Sequence, residues 1–126
     1  MYEKAITGLM LVIAIIHLLP ITGIFGVERL ASLYQIKITD GSLEILMRHR
    51  AVLFGILGGF FAYAAFHPAV QPIAFLAAFI SVASFFYLSY SVGDFNDAIR
   101  KVVYADIVAS VALLAAIFLY ALKSYR

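Results

Sequence analysis

The chain contains no cysteine. That absence excludes disulfides, thiolate metal sites and cysteine nucleophiles, and leaves the redox compartment unmarked. Charge is scarce as well. Asp, Glu, Lys and Arg make up 13% of the 126 residues and hydrophobic residues 65%, against about 25% and 45–50% in soluble domains. So few charges cannot clothe a water-exposed surface, which excludes a soluble globular fold. The net charge of +2 has scattered carriers and provides no footprint for nucleic acid. There is also no glycine-rich phosphate loop and no soluble α/β domain to hold a nucleotide.

What is present is a set of long apolar runs. Ala5 to Ile24 is interrupted only by Thr7, His17 and Thr22. Ala51 to Phe66 carries no charge, and its helix begins further back, near Leu43. Pro72 to Val92 and Val102 to Leu122 complete the set. Each approaches the roughly 20 residues that a helix needs to cross the hydrocarbon core. Inside lipid the backbone must satisfy its own hydrogen bonds, so helices are the expected form. The first run has no clear small-residue cleavage site and reads as a span rather than a signal peptide.

The expected fold is therefore all-α: one integral membrane domain over residues 1–126, a four-helix bundle of two helical hairpins. The spans are placed at about 4–24, 43–66, 71–92 and 96–122. Two connections are short. His67 to Pro72 contains two prolines that end one helix and open the next. In Gly93-Asp94-Phe95-Asn96, Gly93 is expected to close a helix and Asp94 to cap the next, with Asp97 completing a capping box. The link between the first two spans is longer. There Val27, Leu30, Ala31 and Tyr34 recur at helical spacing while Glu28, Arg29, Ser32 and Gln35 fall elsewhere. This pattern predicts a short amphipathic helix over about 27–35, lying in the membrane interface. The halves also echo each other, since Met47-Arg48-His49-Arg50-Ala51-Val52 can be laid against Ile99-Arg100-Lys101-Val102-Val103-Tyr104. Composition alone yields such echoes, so a parallel repeat and chance both stay open.

An even number of spans puts both termini on one face, with the 67–72 turn. The opposite face collects twelve of the sixteen charged residues. Six Lys and Arg lie there against three at the termini, which weakly favours termini outside the cell. If Arg48, Arg50 and Arg100 serve a site instead, the count is level. Asp106 lies about 9 Å beyond Arg100 along a helix, and His17 about 10 Å from the same face. The two can therefore meet across the bundle, where ionisable groups usually face the interior. Pro20 frees the carbonyl of Ile16 beside His17.

These placements define a candidate ligand-binding cluster of His17, Arg48, His49, Arg50, Asn96, Arg100 and Asp106, with Tyr87 and Tyr90 in reach. Arginines at two helix starts suit an anionic head group. The competing reading makes the cations interfacial anchors, and it is preferred for Arg29, Lys37 and Lys101. Ala51, Gly55, Gly59 and Tyr63 form a stripe expected at a close helix contact. Ser81, Ser84 and Ser91 are expected to hydrogen-bond between helices. Bis-histidine haem on His17 and His49 is disfavoured because one is deep and the other at a helix mouth. A metal site from His17, Asp106 and Glu44 has no ligand spacing within a helix to support it.

The order of these features resembles a known family. His17-Leu18-Leu19-Pro20, Leu33-Tyr34 and the stretch from Glu44 through Arg48-His49-Arg50 to Gly58-Gly59 look like the small four-helix bacterial membrane proteins related to DoxX. The resemblance covers nearly the whole chain in layout, and its specific part is the arginine-then-glycine opening of the second span. It implies a bacterial inner-membrane protein. Some relatives are associated with quinone-linked oxidation of sulfur compounds. It carries over no catalytic residue, and a chain without cysteine lends a thiol-based role no support. Three functions stand open: a protein, enzyme or not, that binds a quinone, lipid or isoprenoid by its polar head; an accessory subunit of a membrane complex; and a small proton-coupled transporter. The expected partners are membrane lipids and such a ligand, with a homo-oligomer or a larger membrane complex also open.

Overall fold

The computed structural model describes residues 2–37 and 39–124; Arg126, counted above among the terminal charges, and the side chains of Thr22 and Val27 lie outside what is described. Among the described residues every regular element is helical. They run α1 (Tyr2–Leu18), a 3₁₀ stretch (Leu19–Phe25), α2 (Val27–Tyr34), α3 (Gly41–Ala65), a 3₁₀ turn (Pro68–Val70), α4 (Gln71–Val92) and α5 (Asp97–Ser124). Four spans, Tyr2–Phe25, Gly41–Ala65, Pro68–Val92 and Asp97–Ser124, are long and apolar enough to cross a membrane. The protein is thus a multi-pass membrane protein of all-α architecture.

The bundle is built around α1. One stripe of that helix, Ile6, Met10, Ile13, Ala14 and His17, is buried, at the spacing that places residues on one helical face. It packs against α3 and α5, while α4 packs on α5 and touches α3 more sparingly. Small residues make these approaches close. Ala64 and Ala65 of α3, Ala74 and Ala78 of α4, and Ala112 and Ala116 of α5 surround Phe61, Met10 and Ile13 in the core. Large apolar side chains on all four spans face outward instead, among them Ile15, Ile56, Phe79 and Val111. In lipid that outward face carries no solvation cost, and packing rather than the hydrophobic effect holds the helices together.

The stripe along α3 is displaced from the expected one. Ala51, Gly58, Phe61 and Ala65 face inward, whereas Gly59 and Tyr63 are exposed. A Cβ on Gly58 would stand 2.7 Å from Leu18 Cγ and 3.1 Å from the Ala14 carbonyl oxygen, while one on Gly59 would meet nothing. The spacing by four, read as an unbroken ridge, drifts round the helix and leaves the contact after Gly55.

Pro20 ends regular α-helix in the first span, which continues as the 3₁₀ stretch. The break follows from the missing amide hydrogen and the ring's clash with the preceding turn. α2 then lies across the charged end of the bundle. Its Leu30 and Tyr34 are buried with Leu33, Ile36, Met47, Ile99 and Val102 packed around them. The amphipathic pattern is thus satisfied by protein on its apolar side.

Caps position the remaining ends. The Asp40 carboxylate accepts from the Ser42 amide at 3.1 Å and starts α3. Gly93, at φ 77°, closes α4 with its amide donating to the Ser89 carbonyl. The cap of α5 is Asn96, not Asp94: its Oδ1 accepts from the Ile99 amide at 2.9 Å. The Asn96 side-chain amide also donates to the carbonyls of Tyr34 at 2.7 Å and Gln35 at 3.0 Å. One side chain therefore both opens α5 and ties down the end of α2, where Gln35 turns the chain in the left-handed region at φ 53°.

Candidate functional site

Along α5 the inward residues are Ala98 and then Ala109, Ala112, Leu113 and Ala116. The interruption between Ala98 and Ala109 is where the four spans leave space. Val102, Ala105 and Asp106 line a cavity there of about 70 Å³, with Ile16, His17, Leu19 and Pro20 from the first span, Arg50 and Phe54 from α3, and Ser81 and Phe85 from α4. The cavity is large enough for a few waters or a small polar group. Two candidate residues predicted to meet across the bundle, His17 and Asp106, do share it.

His17 is 2% exposed. Its Nδ1 lies 2.9 Å from the Ile13 carbonyl oxygen. A carbonyl can only accept, so Nδ1 carries the proton, and in the neutral ring Nε2 accepts from the Ser81 hydroxyl at 2.8 Å. The ring stacks on Phe54 at 5.7 Å and meets Phe61 edge-on at 4.8 Å. Both ring nitrogens are occupied and the imidazole is fixed, so His17 supplies a rigid wall of the cavity and a bridge from α1 to α4.

Arg50 is held from a different direction. Its Nη1 donates to the Tyr34 hydroxyl at 2.6 Å. The guanidinium lies 4.5 Å from the centre of the Phe54 ring and 5.4 Å from that of Tyr34. Cation–π contacts of this kind contribute about 0.5–2 kcal/mol, more as water is excluded. Tyr34 itself is 5% exposed. A continuous run of contacts thus passes from α2 through Tyr34, Arg50, Phe54 and His17 to Ser81 on α4.

Asp106 faces that run across the cavity without a hydrogen bond to it. Its backbone carbonyl accepts from Ser110 at 2.8 Å. Its carboxylate meets no hydrogen-bond donor and forms no ion pair within 4.0 Å among the described residues; the Arg50 charge on the same cavity attracts it only from beyond contact distance. A carboxylate inside a membrane span normally has a partner, because each unsatisfied charge there is costly.

A second, larger cavity of about 270 Å³ lies behind the first. Leu19, Pro20, Val102 and Ala105 line both, forming the wall between them. Beyond that wall the second cavity runs between α2 and the start of α5, past Ser32, Leu33, Gln35 and Lys101. It lies between α2 and the wall that it shares with the Asp106 cavity.

The other candidates are placed elsewhere. Arg48 donates through Nε to the Ile24 carbonyl at 3.0 Å and through Nη1 to Glu44 at 3.2 Å, so it fastens the 3₁₀ stretch to α3. His49 and Arg100 are exposed and line neither cavity. Asn96 acts as the cap and clamp described above. Tyr87 and Tyr90 are 69% and 89% exposed and point away from the cavity. Of the three serines expected between helices, Ser81 bridges to His17, while the Ser84 hydroxyl donates to the Ser81 carbonyl within α4 and Ser91 is exposed. The sequence reading missed Tyr34, Phe54 and Phe85 as site residues. Phe54 was within reach, because it follows Arg50 by one helical turn and shares its face.

Residues aligned in the internal echo come close to one another around the cavity, although α1 and α4 pack unequally. Met47 and Ile99 both pack against the Leu30–Tyr34 cluster. Arg50 and Val102, and one turn later Phe54 and Asp106, occupy matched positions around the cavity. Comparison with protein-family models, with curated proteins and with solved structures yields no match to this chain.

Proposed function

We propose that this is a DoxX-like bacterial inner-membrane protein, with its termini outside the cell, that binds a neutral amphiphile by its polar head, of the quinone or quinol class or an isoprenoid alcohol. The observation that carries the reading is Asp106, a carboxylate in a span that faces a cavity and has no donor among the described residues. A ligand hydroxyl would satisfy it, and Arg50 on the same cavity would donate to a carbonyl or hydroxyl oxygen. One cation and one carboxylate balance here, which removes the net positive charge that a phosphate would need. The site thereby favours an uncharged head over the anionic one suggested when Arg48 and Arg100 were counted with it. The neighbouring 270 Å³ cavity approaches the lower size of ligand pockets, about 300 Å³, and is placed to take the body of the molecule. The wall of Leu19, Pro20, Val102 and Ala105 must part for the head to pass.

The test is the organic extract of the purified protein analysed by mass spectrometry. Wild type should carry a quinone or isoprenoid alcohol near one per chain, Asp106→Leu should lose it, and Arg48→Ala should keep it. Equal occupancy in all three would sink the proposal. The second reading, an accessory subunit without a ligand, is supported by the internal satisfaction of His17 by Ile13 and Ser81 and of Arg50 by Tyr34. It predicts an extract without such a compound in any of the three.

A further inference from the structure

The opposite end of the bundle holds a cavity that the proposed ligand site leaves unused. It measures about 270 Å³ and lies where the first turns of α1, the end of α3, the start of α4 and the end of α5 converge. Lys4 and Lys123 contribute two ammonium groups to it and Glu3 one carboxylate. The Lys123–Glu3 pair is loose, at 3.8 Å, with the Glu3 side chain 72% exposed. In its wall the Thr7 hydroxyl is committed to the Ala65 carbonyl at 2.7 Å or the Glu3 carbonyl at 2.9 Å. Gln71, also lining the cavity, is 2% exposed. Its Nε2 donates to the Ala64 carbonyl at 3.0 Å, but its Oε1 is buried with no hydrogen-bond partner among the described residues.

A buried amide oxygen without a donor is rare and calls for one. We propose that this cavity binds the head group of a phosphoethanolamine lipid. The lysines act as point charges on the phosphate. The ethanolamine ammonium, two carbons away, donates to Gln71 Oε1 and pairs with Glu3. The charge arrangement matches: two cations and an anion meet a phosphate and an ammonium, in a cavity at the level where four membrane spans end. An ammonium with N–H groups is essential to the match, because a trimethylated head group has the same charge and no donor.

Native mass spectrometry of the full chain, released from bilayers of equal phosphatidylethanolamine, phosphatidylglycerol and phosphatidylcholine with identical acyl chains, tests this. The expected result is one retained phosphatidylethanolamine per chain, favoured about tenfold or more over phosphatidylcholine. Gln71→Met should erase that preference. The rim variant Lys4→Gln/Lys123→Gln should weaken retention of phosphatidylethanolamine at least tenfold. Because the rim variant leaves the buried Gln71 in place, it keeps the test decisive even where Gln71→Met fails to fold. Equal retention of phosphatidylethanolamine and phosphatidylcholine, or no lipid retained above the bulk composition, overturns the proposal. Phosphatidylglycerol held as tightly as phosphatidylethanolamine overturns the ethanolamine assignment, since a diol then fills the donor role. Asp106→Leu, at the other end, should leave this preference unchanged.

Discussion

Gly58 and Gly59 are adjacent, share a helix and differ only in which way they face, so substituting each with alanine isolates packing from backbone effects. At Gly58 the new Cβ would lie 2.7 Å and 2.8 Å from Leu18 Cγ and Cδ2 and 3.1 Å from the Ala14 carbonyl oxygen. The carbonyl belongs to a helix backbone and cannot step aside, and Cγ is not the free end of its side chain. Relief requires α1 and α3 to separate, against the tightest seam of the bundle. Overpacking of this kind costs about 1–3 kcal/mol, partly offset by the gain of up to about 1 kcal/mol on replacing helical glycine with alanine. At Gly59 only that gain remains, because nothing lies within 4 Å. Thermal unfolding in a mild detergent, followed by circular dichroism, should place Gly58→Ala several degrees below wild type and Gly59→Ala at or slightly above it. Equal loss in both variants would mean that α1 and α3 do not meet at Gly58, and the packing account would fail.

Removing the Tyr34 hydroxyl, as in Tyr34→Phe, strips Arg50 of its charged hydrogen bond, worth about 1.5–3 kcal/mol; a lowered unfolding midpoint in the same assay is expected, and an unchanged one would contradict the contact. Asn96→Ala deletes a cap worth about 0.5–2 kcal/mol together with the tie to α2. Hydrogen exchange should therefore speed up at the start of α5 and across 27–35, and faster exchange at α5 alone would show that the clamp is not formed. Asp106→Leu should raise the unfolding midpoint of the ligand-free protein, since the cost of holding a carboxylate without a hydrogen-bond donor in a span exceeds its attraction to Arg50 beyond contact distance; a drop would show that the attraction to Arg50 is the larger effect.

Much of the fold was legible because lipid makes the rule simple: a helix must span, and apolar length marks it. All four spans were readable this way, and the amphipathic α2 by the helical spacing of its apolar residues. Where helices touch was less legible, because outward and inward faces are both apolar in a membrane protein and periodicity loses its contrast. That is why the expected stripe ran through Gly59 while the contact falls on Gly58. The cap at Asn96 was missed for a different reason. Asp94 and Asn96 are both good capping residues, and only the end of α2, brought in by tertiary folding, decides between them. In the site, depth along the helix placed His17 and Asp106 together, but depth says nothing of rotation about the axis. Arg48 and Arg50, two residues apart, therefore point to different tasks, one to the Ile24 carbonyl and one to the cavity. Ser81 and Tyr34, as partners of His17 and Arg50, lay beyond any reading of one helix at a time.

The central claim is that a ligand head reaches Asp106 from the side of α2. A long-chain quinol analogue carrying a photoreactive group on its ring, incorporated into membranes and cross-linked to the protein, tests it most directly. The account predicts labelled peptides from Phe85 of α4 and from 98–106 of α5, lost in Asp106→Leu. Labelling spread over the lipid-facing residues Ile56, Phe79 and Val111, and indifferent to that substitution, would contradict it.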